Sequence, residues 1–366
     1  MAECLRCGEP AKHVMPVYNQ FNNAYLDVPV CGRCYVGYSP RATREGGVEW
    51  KKTDSVKTWI VLTVLGSRRA AVALSALLDR IVRTTAARLY VAASAYVVVA
   101  LSVAGLALLT YSTAWYILNP GSPIVERFRE VYRSKGFLTG TGLPGLDPLL
   151  PLVEVVLPFT LAVLFHELGH ALVLRFYGYD VKRVGLILAG PIPVGAYVEP
   201  PGSVEGKMSP RQAIQFVGAG VTANVLLGLA GLAAMAFIMS GLIPANPDAA
   251  RALATYASNP QLVLIPPPLL SALGIATPMT APKGWFTHTF LGDGYALPLS
   301  IASYMATVNF LLAIFNSLPI KTFDGGHVWA ALLRPWLGPR RALITVNYVT
   351  AALVSMILYS ALVVRV

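Results

Sequence analysis

The sequence predicts an α-helical polytopic membrane protein with about five to six transmembrane helices and an N-terminal zinc-ribbon module. Three observations carry that expectation. First, hydrophobic residues make up 55% of the chain, charged residues only 13%, and the mean hydropathy is +0.58. A soluble fold could not hide that much apolar surface behind a charged exterior, and a chain this hydrophobic is not intrinsically disordered. Second, five long runs are almost free of charge. Third, all four cysteines lie at or before Cys34, as two CxxC pairs.

The head, 1–40, opens with MAECLRCGEPAKH, which is polar and unlike a cleavable secretory signal. Cys4 and Cys7 form one knuckle, and Cys31 and Cys34 a second. Each knuckle offers two thiolates and the pair closes a tetrahedral site, so one structural Zn2+ is expected. Disulfides or redox thiols are the competing reading, disfavoured where the head is cytoplasmic. A closed four-Cys site leaves no position for substrate, so the ribbon is a folded module and a candidate surface for a protein partner.

Residues 41–88 read as a basic linker or surface helix. Trp59 to Leu78 is apolar but carries Arg68 and Arg69 at its centre, too costly for a span. A surface-lying helix or helical hairpin is expected there. The membrane domain follows over 89–366. Its firm spans are Leu89–Tyr111, Leu152–Leu174, Gln212–Leu242, Tyr295–Ile320 and Ala342–Val364. Arg251 to Lys283 holds six prolines and predicts a loop rather than a straight helix.

The net charge of +11 reports orientation, and no nucleic-acid partner is expected. With the N-terminus in the cytoplasm, 22 of the 29 basic residues fall inside and seven outside. The expectation is a multi-pass cell-membrane protein in contact with membrane lipid, with a cytoplasmic N-terminus.

The chemistry is concentrated in the second run, LPFTLAVLFHELGHALVL. His166 and His170 are four apart and share one helix face, so both can bind one metal. Glu167, beside the first histidine, is placed to act as a general base toward water. Such residues are expensive inside a membrane and usually mark function. The competing readings are a polar cluster that ties helices together or a proton relay. A catalytic zinc needs a third protein ligand. Asp324, in NSLPIKTFDGGHVWAALL, is the best placed, after the fourth span on the same side as the histidines. Glu199 and Glu205 are weaker candidates, and Glu154 sits at the opposite end of its helix.

With these motifs in place, the chain resembles the site-2 protease family of intramembrane zinc metalloproteases. HExxH is matched at His166, Glu167 and His170, and the second signature at Asn316, Pro319, Asp324 and Gly325. FVGAGVTAN is similar to another helix motif of the family, with Asn224 in place and Val221 where proline is common. GPIPVGAYVEP (190–200) looks like the family's membrane-associated strand. The resemblance covers 152–341 and implies a three-helix catalytic core there. It implies one catalytic Zn2+ held by His166, His170 and Asp324, with Glu167 as catalytic base. Asn224 and Asn316 would donate to the oxyanion or position substrate, or else only join helices. His327 is either close to the ligand set or solvated. The implied activity is hydrolysis of a peptide bond in or near a transmembrane segment of a membrane-protein substrate. The alternative is a non-proteolytic transporter or metal-binding scaffold using the same His/Asp cluster. No internal symmetry of the kind transporters show is visible, and metal binding alone would not need Glu167.

Overall fold

The structure, a computed structural model, describes residues 3–19, 24–42, 48–52, 55–59, 62–135, 152–189, 192–200, 208–242, 254–255, 257–259, 262, 264 and 296–365. The proline-rich 251–283 segment and the 243–297 connection lie almost wholly outside those residues. The chain divides into two units, Met1–Leu89 with His170–Ser209 and Tyr90–Gly169 with Pro210–Val366.

In the first unit, β1 (His13–Asn19) and β2 (Ala24–Val30) pair as an antiparallel hairpin between the two cysteine knuckles. A short helix, α1 (Gly32–Gly37), carries Cys34, and β3 (Tyr38–Ala42) pairs with β4 (Val48–Lys52). Cys4, Met15, Val28, Val30, Cys31 and Cys34 form a small core, and Val48 and Trp50 pack against it. The packed head therefore runs past residue 40. The reason is the β3–β4 pairing, which returns Val48 and Trp50 to a core too small to close without them.

The expected surface helix over Trp59–Leu78 is half strand. β5 (Ser55–Trp59) and β6 (Leu62–Ser67) form a hairpin, and only then does α2 (Arg68–Ile81) begin. Val56, Thr58, Trp59, Thr63 and Val64 are β-branched or aromatic and suit a pleated surface. Ser67 marks the switch, its hydroxyl accepting from the Ala70 amide at 3.3 Å as an N-cap. β6 also pairs with β7 (Arg183–Ala189), which pairs with β8 (Ile192–Glu199), giving a four-stranded antiparallel sheet in the order β5-β6-β7-β8. The 190–200 segment is a strand as expected over its described part, and its sheet recruits chain from before the first span.

The second unit is helical. It contains α3 (Thr85–Leu118) from Tyr90 onward, α4 (Pro123–Lys135), α5 (Leu152–Phe176) up to Gly169, α6 (Pro210–Leu242), α7 (Ala296–Ser317) and α8 (Asp324–Arg365). Among the described residues α3, α5, α6, α7 and α8 are long and apolar enough to cross a membrane. The protein is a polytopic helical membrane protein, and all five expected runs are helical where they are described, except for Leu318–Ile320, which follow the end of α7. α8 starts earlier than the fifth run suggests, because Pro335, Gly338 and Pro339 bend it rather than end it, with Gly338 at φ 75°.

Small residues bring these helices close. A Cβ on Gly231 of α6 would lie 2.6 Å from the backbone nitrogen of Ala306 on α7, so this contact requires glycine. Polar pairs add to the packing: Trp329 Nε1 of α8 donates to Ser102 Oγ of α3 at 2.7 Å, and Thr113 meets Ser360 at 3.2 Å.

Candidate metal centre

α5 presents His166 and His170 one turn apart, both buried. The helix ends in a Schellman motif: the Gly178 amide donates to Arg175 O at 3.0 Å and the Tyr179 amide to Leu174 O at 2.9 Å, with Gly178 at φ 77°. Arg175, in the last turn, pairs with Asp79 at 2.7 Å and with Asp180. Asp324 opens α8 immediately after the turn that leaves α7. A Cβ on Gly325 would overlap Ser317 O, so glycine there lets the turn fold back onto the start of α8 and set the carboxylate. His166 Nε2 is 3.0 Å from Asp324 Oδ2, and the donor atoms of His166, His170 and Asp324 all lie within 4.8 Å of one another.

The hydrogen bonds around His166 decide what this cluster can hold. Asn224 of α6 donates through Nδ2 to Ala162 O at 2.9 Å and to Asn309 Oδ1 of α7 at 3.0 Å. A backbone carbonyl can only accept, so the Asn224 amide is fixed with its oxygen toward His166 Nδ1, 2.7 Å away. Nδ1 therefore carries a proton, and the Nε2 lone pair of a neutral ring faces the Asp324 carboxylate. Two acceptors at 3.0 Å repel unless a cation or a second ring proton lies between them. Adjacent ligands of a tetrahedral zinc with bonds near 2.0–2.1 Å are about 3.3 Å apart. The donor set fits a divalent metal.

Gly220 is the other requirement. A Cβ there would lie 2.5 Å from His166 Nε2, so α6 meets the imidazole with bare backbone. Tyr90 of α3 donates to Ala219 O at 2.5 Å, holding the neighbouring peptide.

The second cluster is the ribbon. None of the four cysteines is disulfide-bonded, and their sulfurs lie within 4.8 Å of one another, with Cys7–Cys31 at 3.6 Å and Cys7–Cys34 at 3.5 Å. Sulfurs around a tetrahedral zinc with bonds near 2.3 Å sit about 3.8 Å apart, so these four thiols also fit. Burial pushes the Cys4 thiol up, but hydrogen bonds from the backbone of Cys31, Arg6 and Cys7 outweigh it and bring Cys4 down to about 6. Burial raises Cys34. Gly8 turns the first knuckle at φ 75°.

The family model described as peptidase family M50 matches residues 154–359, more than half of the chain. This chain belongs to peptidase family M50. An uncharacterised protein of Methanocaldococcus jannaschii is 25% identical over 217 residues, covering 50% of this chain and 58% of that protein. The chain thus spans rather more than half the length of that relative. No solved structure matches it.

Of the residues expected to serve the site of this M50 chain, His166, His170 and Asp324 come together, and Glu167 sits half-buried beside His166. Asn224 directs its amide hydrogens to Ala162 of α5 and Asn309 of α7. Asn316 is half-buried at the end of α7, and His327 is exposed. Glu199 is held by Lys182 at 2.6 Å. Glu154 is buried about 18 Å along α5 from His166. Sequence reasoning misses Asn309, fully buried, although a polar side chain in an apolar span is signal enough. Tyr90 gives no signal, since a tyrosine near the end of a span is ordinary.

Proposed function

We propose that this M50 chain is an intramembrane zinc endopeptidase of the site-2 protease type, cleaving a peptide bond in or near a transmembrane segment of a membrane-protein substrate. The observation that carries the reading is the convergence of His166, His170 and Asp324 within helices long enough to span a membrane. Zinc bound there supplies Lewis acidity, making a water more acidic and polarising a peptide carbonyl. Glu167 takes the proton from the attacking water and returns it to the leaving amine. His166 and His170 bind through neutral rings, and Asp324 offsets the metal's charge. Asn316 is the remaining candidate for positioning substrate.

The ribbon cysteines hold a second, structural zinc. Metal analysis is expected to give two zinc per chain, and Cys4→Ser one, with cleavage of a model membrane substrate retained in detergent and lost to chelator. Chelator-resistant cleavage, or two zinc in Cys4→Ser, would count against these assignments.

Asn224 acts through His166, holding its ring in the Nδ1–H tautomer. Asn224→Ala is expected to weaken zinc binding at the catalytic site by about 10–100-fold. Zinc titration of the purified variant measures it, and an unchanged affinity would remove this role.

We place the N-terminus in the cytoplasm from the basic-residue bias. A reporter fused after Arg365 should then read as outside, and one near Lys207 as inside. The reverse pattern would invert the orientation.

A further inference from the structure

We propose that the outer face of α2 lies in the lipid–water interface and binds the headgroups of anionic phospholipid. α2 is one-sided: Ala71 and Leu78 are buried, and the helix packs on β7. The other side exposes Val72, Leu77 and Ile81, at 38%, 56% and 41%. Apolar side chains so exposed on an amphipathic helix need a cover.

The chain itself supplies the argument for what covers them. Only Val82, Arg83 and Thr84 separate α2 from Thr85, where the first membrane-spanning helix begins. Three connecting residues reach at most about 14 Å between the flanking Cα atoms. The end of α2 is therefore held at the edge of a span, where an apolar face can enter the bilayer surface.

Charge selects the kind of lipid. Arg69 and Arg80 on α2, Arg83 in the connection and Arg88 in the next turn are all exposed. None of the four forms an ion pair with a described residue, whereas Asp79, the acid of α2, is taken by Arg175 at 2.7 Å. Arg69 and Arg80 thus stand near the two ends of the exposed face that carries Val72, Leu77 and Ile81, and with Arg83 and Arg88 they make it cationic, which complements an anionic membrane surface. The inference requires only that the protein spans a membrane; it does not depend on peptidase activity or on orientation.

Hydrogen exchange of the full chain in lipid nanodiscs tests it, comparing phosphatidylcholine discs with discs that also contain phosphatidylglycerol. Amides of α2 are expected to exchange about fivefold more slowly in the anionic discs, the effect of one engaged arginine. High salt should reduce the difference, and a variant with Arg69, Arg80, Arg83 and Arg88 all changed to Gln should abolish it. The lipid comparison on the unmodified chain stands even where that variant does not fold. Equal exchange in the two discs overturns the proposal. So does protection reproduced by inorganic phosphate in phosphatidylcholine discs, or protection that follows the number of copies per disc.

Discussion

Glu167→Gln is expected to lower cleavage of a membrane substrate by about 10²–10⁴-fold while leaving both zinc ions bound. Glutamine keeps the size and hydrogen-bonding reach of the side chain and removes only its capacity to accept and return a proton. His166, His170 and Asp324 are untouched by the change, so metal content and thermal stability should match the parent. The measurement is turnover of a reconstituted substrate beside zinc analysis of the same preparation. Turnover within tenfold of the parent, with zinc retained, would show that Glu167 is not the base.

Asp324→Asn should remove activity by a different route. The carboxylate is the one anionic member of the His166, His170 and Asp324 set, and an amide of the same size cannot offset a dication's charge. Catalytic zinc is expected to bind more than about a hundredfold more weakly, a larger loss than removing a group that merely orients a ligand. The ribbon zinc should remain, so the total falls from two to one. Asp324→Glu keeps the charge with displaced geometry and should retain some metal with low turnover. The two variants separate the roles: Asp324→Asn loses metal, whereas Glu167→Gln loses chemistry with metal in place. A fully zinc-loaded and active Asp324→Asn would transfer the third ligand position elsewhere.

Much of this architecture is legible without coordinates. The helical runs are visible because a bilayer core demands about 20 apolar residues in each crossing element. The two histidines of HELGH are one turn apart on any helix, so their pairing needs no tertiary information. The cysteine knuckles are similarly local. The strands before Arg68 are not legible, because a short apolar run fits strand or helix equally until its partner is known. That partner, β7, lies beyond two membrane-spanning helices in the chain.

Sequence by itself therefore determined the membrane class, the histidine pair with its glutamate, and the two thiol pairs, since each depends on spacing within one segment. Tertiary structure decided the rest. It brought Asp324 to 3.0 Å of His166 from the far end of another helix pair, and it turned Asn224 onto the His166 ring through Ala162 and Asn309. It also made Gly220 a condition of the site, because α6 approaches the imidazole too closely for a Cβ. Distances between helices and the direction of an amide are fixed by packing among several segments at once, and no spacing within one segment encodes them.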